Sequence, residues 1–144
     1  MAQQHPEEVL DFLLYMNRRQ YFEAHEVLEG YWHGERIDFY KGLIQVAVAL
    51  YHLHSGNIAG CRALFTRARE LLTPYAPQFR ALDVQRVLDY IDDALLRIPN
   101  VIEMEREEAL ALGVHPIDMR LEDGTVLPEE PVVPLDEEGE GDDA

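Results

Sequence analysis

The sequence predicts an all-α protein: an antiparallel bundle of about five helices with a largely irregular acidic C-terminal extension. Three observations carry that prediction. Apolar residues recur at helical spacing up to about residue 98, where alternating strand patterns are nearly absent. Turn and cap residues interrupt that periodicity at short intervals, so successive helices should pack as antiparallel neighbours. Charge is divided unevenly. Residues 1–98 carry 13 acidic and 10 basic side chains, whereas residues 99–144 carry 15 and 2, which puts most of the net charge of −16 behind Ile98. The chain therefore reads as a helical bundle domain, 1–98, followed by an acidic extension, 99–144.

Each element has its own signal. Pro6 opens the first helix with Glu7 and Glu8 in its first turn, and Val9, Phe12, Leu13 and Met16 form its stripe. A second helix spans about Tyr21 to Trp32 and stops in the region of Gly34. A third spans about Ile37 to His54 and stops at Ser55-Gly56. Its stretch Leu43–Tyr51 is apolar on every side except at Gln45, which predicts a central, buried helix. Asn57 suits the N-cap of a fourth helix that ends before Pro74. A fifth spans about Phe79 to Leu96, with Leu82, Val87, Leu88, Ile91 and Leu95 near one face. In the extension, Asn100 and Glu103 have capping-box spacing for a short helix at about 101–112, closed by Gly113. Alternation at Ile117, Met119 and Leu121 before Asp123-Gly124 suggests a hairpin at about 117–127. The acidic end, about 136–144, has too little apolar material to offset its ordering entropy and is expected to be disordered.

Composition excludes several functions. A net charge of −16 with no visible basic stripe argues against nucleic acid as a partner and against an anionic membrane surface. No apolar run approaches the ~20 residues of a membrane span. The polar start MAQQHPEEV does not form a signal peptide, so a cytoplasmic location is expected. Cys61, the single cysteine, rules out an internal disulfide framework and lies on an apolar stripe as an inert thiol. No phosphate loop, Ser-His-Asp order or CxxC is present.

The candidate site lies on the second and third helices. At about 100° per residue, Tyr21, Leu28 and Trp32 fall within about 60° of His25, with Phe22 and Glu29 on the other side at about +60° and +40°. His25 and Glu29 are thereby expected inside the apolar stripe, Glu26 at its edge. Buried polar groups require partners. Folding the hairpin about Gly34 sets Glu29 level with Lys41, and His25 level with Gln45. A Glu29–Lys41 ion pair and a His25–Gln45 hydrogen bond are the expected contacts. The run His25-Glu26-x-x-Glu29 also looks like a zincin motif with its second His replaced by Glu. In that reading His25 and Glu29 ligate a metal and Glu26 is the general base, but a third ligand is needed. His52 and His54 point in different directions and cannot share a metal from one helix face. His33 is electrostatically suited to a helix C-terminus and needs no functional role.

YFEAHEVLEGYW (Tyr21–Trp32), KGLIQVAVALYHLHSGN (Lys41–Asn57) and an Ala/Leu-rich fourth helix together resemble the family of the domain of unknown function numbered 309, over about residues 8–75. Phe22, His25, Glu26, Glu29, Trp32, Gly42, Leu43, Ile44, Gln45 and Ala47 carry the resemblance. It implies a compact all-α bundle and supplies no activity. The leading expectation is a non-catalytic binding or interaction module for a small molecule or a protein, with a site at His25, Glu26, Glu29, Trp32, Lys41 and Gln45 and no cofactor. The alternatives are a metal-dependent hydrolase built on His25, Glu29 and Glu26, and a purely structural polar network.

Overall fold

The computed structural model describes residues 5–135; the expectation of disorder at 136–144 concerns residues outside that range. The chain is helical as predicted. Helices α1 (Glu7–Asn17), α2 (Tyr21–Trp32), α3 (Asp38–His54) and α4 (Ile58–Leu72) follow one another through short connections. A single turn of 3-10 helix, Thr73–Tyr75, leads to a two-stranded hairpin, β1 (Gln78–Phe79) and β2 (Leu82–Asp83). Helices α5 (Val84–Arg97) and α6 (Arg106–Leu110) complete the order. Each of α1 to α4 packs on its successor, and α5 packs on α4.

Helix α3 is the central element. Phe39, Leu43, Ile44, Val46, Ala47, Ala49, Leu50 and Leu53 are all buried along it. Its tightest neighbour is α4. A Cβ on Gly42 would stand 2.6 Å from Leu72 Cγ and 2.8 Å from Leu72 Cδ2, so the glycine permits this close crossing. The cap on α4 is the expected one: Asn57 Oδ1 accepts the Gly60 N–H at 3.0 Å. The Ile102 carbonyl satisfies two further donors of that first turn, Ile58 N and Ala59 N.

Three local expectations are corrected. Helix α5 starts at Val84 rather than near Phe79, because residues 78–83 pair across a two-residue turn at Arg80 and Ala81. Both turn residues have positive φ, 48° and 68°. The short helix of the extension covers only Arg106–Leu110, since Ile102 to Met104 run alongside the start of α4 and bond to it. The turn at Asp123-Gly124 forms, with Gly124 at φ 86°, but its flanks do not pair as a hairpin. Leu121 instead forms a bridge with Leu82 of the 78–83 hairpin.

The extension, although largely irregular, is packed on the bundle as far as it is described. Ile117, Met119 and Leu121 belong to the core. Helix α1 holds the segment through its polar side chains. Asn17 donates to the Met119 carbonyl at 2.8 Å and accepts from the Met119 N–H at 2.6 Å, mimicking a strand partner. Asp11 is fully buried and accepts from Val132 N and Val133 N, the latter at 2.7 Å. The alternating apolar residues are therefore core-facing, but toward α1 and the hairpin instead of each other.

Candidate functional site

Helix α2 buries Tyr21, Ala24, Val27 and Leu28. This face is centred at about −100° from His25. The exposed Phe22 lies on the opposite flank and is not part of the core. His25 and Glu29 consequently stand beside the buried stripe, each about a quarter or less exposed. Their expected burial is corrected on that ground: Ala24 and Val27 define the buried stripe, and Phe22 lies outside it.

The pairings also differ from expectation. His25 Nε2 meets Glu29 Oε1 at 2.7 Å, one turn along the same helix. Glu29 Oε2 lies 4.0 Å from His33 Nε2. Neither the Glu29–Lys41 ion pair nor the His25–Gln45 hydrogen bond forms. Lys41 instead places its ammonium 4.6 Å from the centre of the Trp32 ring, and Arg36 sits 4.8 Å from the same ring. A cation over an indole face is attracted by the ring quadrupole, and Trp is the best such partner. The Trp32 Nε1 is buried without a hydrogen-bond partner among the described residues. Phe22 packs against His25 and against the exposed Tyr51 of α3, both at 5.7 Å between ring centres. Glu26 and Gln45 are half-buried. His25, Glu29, Trp32, Lys41 and Gln45 thus share the outer α2–α3 face, with Phe22 and Tyr51 at one end and the Trp32 stack at the other.

His25 and Glu29 are committed to each other, and among the described residues no group of three or more His, Cys, Asp or Glu is placed to hold a metal ion. His52 bonds to Asn57 at 3.2 Å, away from His25. Cys61 is fully buried, and that burial pushes its thiol up to about 12, so it stays protonated.

A second polar cluster lies where the α2–α3 turn meets the 78–83 hairpin. Arg80 lays its guanidinium across Glu35, Nη1 to Oε1 and Nη2 to Oε2 both at 3.3 Å, and Nη1 also donates to the Tyr40 hydroxyl at 2.9 Å. Tyr31 donates to Glu35 Oε1 at 2.8 Å. That hydrogen bond raises the Tyr31 phenol to about 12 and, together with Arg80, holds the Glu35 carboxyl below its ordinary range. Glu35 stays ionised and Tyr31 stays protonated. Sequence reasoning missed this cluster. Tyr31 and Glu35 have one-turn spacing, but nothing in the sequence marks Arg80, which arrives through a turn without the usual Asn-Gly.

Comparisons with known proteins agree with the resemblance. The description "Domain of unknown function (DUF309)" matches residues 9–64. The chain is also similar to the "Uncharacterized protein YpuF" of Bacillus subtilis (strain 168), 34% identical over 104 residues that cover 67% of this chain and 60% of that protein. The chain thus spans less than two thirds of the length of this relative. No solved structure matches. The matched segment runs from α1 into α4 and includes the whole α2–α3 face. Over residues 9–64, the chain matches the DUF309 family model, the family its sequence resembles.

Proposed function

We propose that the domain is a non-catalytic binding module whose recognition surface is the outer α2–α3 face, and that its partner is another protein. The observation that carries this reading is the composition of that face. Phe22 and Tyr51 are 46% and 44% exposed, and next to them stand a closely paired His25 and Glu29 and a tryptophan with two cations against its ring. Aromatic, Arg and paired polar groups at the edge of an apolar surface have the chemistry of protein interface anchors. The Trp32 N–H, with no acceptor among the described residues, is a donor that a partner carbonyl can satisfy after a small side-chain shift. A face built from one side of two adjacent helices also suits a macromolecule better than an enclosed small ligand.

The hydrolase reading gains no such support. Its two ligands face each other, and a third donor is missing among the described residues. A catalytic zinc site requires three protein ligands and an open position.

A photo-crosslinker placed at Tyr51 of the intact chain tests the proposal. The expected result is a discrete crosslinked protein partner from a cell extract, lost on Trp32→Ala and on combined His25→Ala and Glu29→Ala while both variants stay folded. Crosslinking that is undiminished by these folded variants would contradict it.

A further inference from the structure

We propose a second, independent site: the cavity between α1, α3 and the 78–83 hairpin binds a small neutral molecule with an apolar body and one hydrogen-bond-accepting carbonyl. The cavity has a volume of about 310 Å³ and is partly open. Its walls are apolar, formed by Val9, Leu13, Phe39, Leu43, Leu82 and Leu121. Its polar lining comes from the Tyr31–Glu35–Arg80–Tyr40 cluster and from His5. Apolar walls with converging polar groups are the usual form of a small-molecule site, and the volume sits at the low end of the usual ~300–1,000 Å³. At the ~30 Å³ that each water occupies in the liquid, it would hold about ten waters, hence an organic molecule of about ten non-hydrogen atoms.

The polar lining specifies the head group. Both charges of the cluster are matched, Arg80 by Glu35, and His5 lies 2.8 Å from Asp123. A carboxylate ligand would find the Arg80 charge already balanced by Glu35, and an ammonium would find both Glu35 oxygens already accepting. The free capacity is donor capacity. Tyr40 is 1% exposed, and its oxygen accepts from Arg80. Its own hydroxyl proton has no acceptor among the described residues. A phenol O–H can donate as well as accept, and a buried one costs free energy until it does. A ligand carbonyl at the cavity wall completes it.

The backbone supports the assignment. Arg80 and Ala81 both adopt the left-handed region in the two-residue turn between Phe79 and Leu82. Such turns ordinarily use Asn-Gly, and non-glycine residues in this region are strained by the approach of Cβ to the backbone. The strained turn is what brings the Arg80 guanidinium over Phe79 and Tyr40 and so fixes the polar wall.

The test uses the full chain and three probes that share a phenylalkyl body: benzylacetone (a neutral ketone), hydrocinnamate (an anion) and phenylpropylammonium (a cation). Methyl and amide NMR shifts should saturate with benzylacetone and map to Val9, Leu43, Leu82 and Leu121. Tyr40→Phe should weaken that binding about tenfold, the loss of one hydrogen bond. Val9→Phe should abolish it by filling the chamber; should that variant unfold, Leu121→Phe serves the same purpose. A cavity that takes only water gives no saturable shift, which overturns the proposal. Tighter binding of hydrocinnamate or phenylpropylammonium overturns the neutral head group, and undiminished binding to Tyr40→Phe overturns the role of the hydroxyl.

Discussion

Gly42→Ala should destabilise this protein, although helix propensity alone predicts the opposite. Alanine in place of glycine inside a helix is worth about 1 kcal/mol in its favour. At position 42 the new methyl would meet Leu72 Cγ at 2.6 Å, Leu72 Cδ2 at 2.8 Å and Leu71 Cβ at 3.3 Å. Leu72 is fully buried and has no solvent to move into. Overpacking of this kind costs about 1–3 kcal/mol. With two leucines to displace, the upper part of that range applies, and the net loss is about 1–2 kcal/mol. For a chain of this size that lowers the melting temperature by roughly 3–10 °C. Thermal and urea melts of wild type and Gly42→Ala measure it. A second variant isolates the cause. Leu72→Ala alone should lose about 2–5 kcal/mol through its cavity, and the double variant should lose less than the two singles together, with a coupling of about 1 kcal/mol. A Gly42→Ala protein more stable than wild type, or strict additivity with Leu72→Ala, would refute the close α3–α4 crossing.

Two further outcomes follow from how the C-terminal segment is held. Asp11→Ala removes the buried acceptor of Val132 N and Val133 N; hydrogen bonds to charged groups contribute about 1.5–3 kcal/mol, so a loss of that order is expected in a chemical melt, together with faster hydrogen exchange at those two amides. Asp123 is held down to about 2 from its ordinary 3.8 by hydrogen bonds from Thr125 and His5, so its contribution is complete above about pH 4 and fades as pH falls toward about 2. Melting temperature measured across that interval should fall less steeply in Asp123→Asn than in wild type; equal slopes would show that the Asp123 contacts do not contribute.

Much of the fold was legible because α1 to α4 are specified locally. The bounds of α2 follow directly from the pattern Tyr21 to Trp32, and Asn57 caps α4 through the interaction its side chain favours. The central position of α3 follows from its all-round apolar surface. What was not legible depends on long-range partners. Residues 78–83 look like a helix start, yet they pair across a turn of two non-glycine residues that propensity disfavours. The alternation at Ile117, Met119 and Leu121 is a true burial signal, but its partners are Asn17 and Leu82, about a hundred and about forty residues away. For the candidate site, the residue identities were legible and their pairing was not. Once Phe22 is counted into the core, the stripe rotates by about one residue's angle, and His25 appears buried and in need of a partner on α3. Its partner is Glu29, four residues on, and Lys41 is taken by Trp32.

In the proposed function the His25 and Glu29 side chains serve recognition at the surface and do not hold the bundle together. Thermal unfolding of the His25→Ala, Glu29→Ala double variant tests it most directly. A partly exposed pair one turn apart on a helix contributes about 0.3–0.5 kcal/mol, and alanine returns a few tenths in helix propensity. A cooperative transition within a few degrees of wild type is expected. A loss of more than about 3 kcal/mol, the mark of a broken buried network, would contradict it.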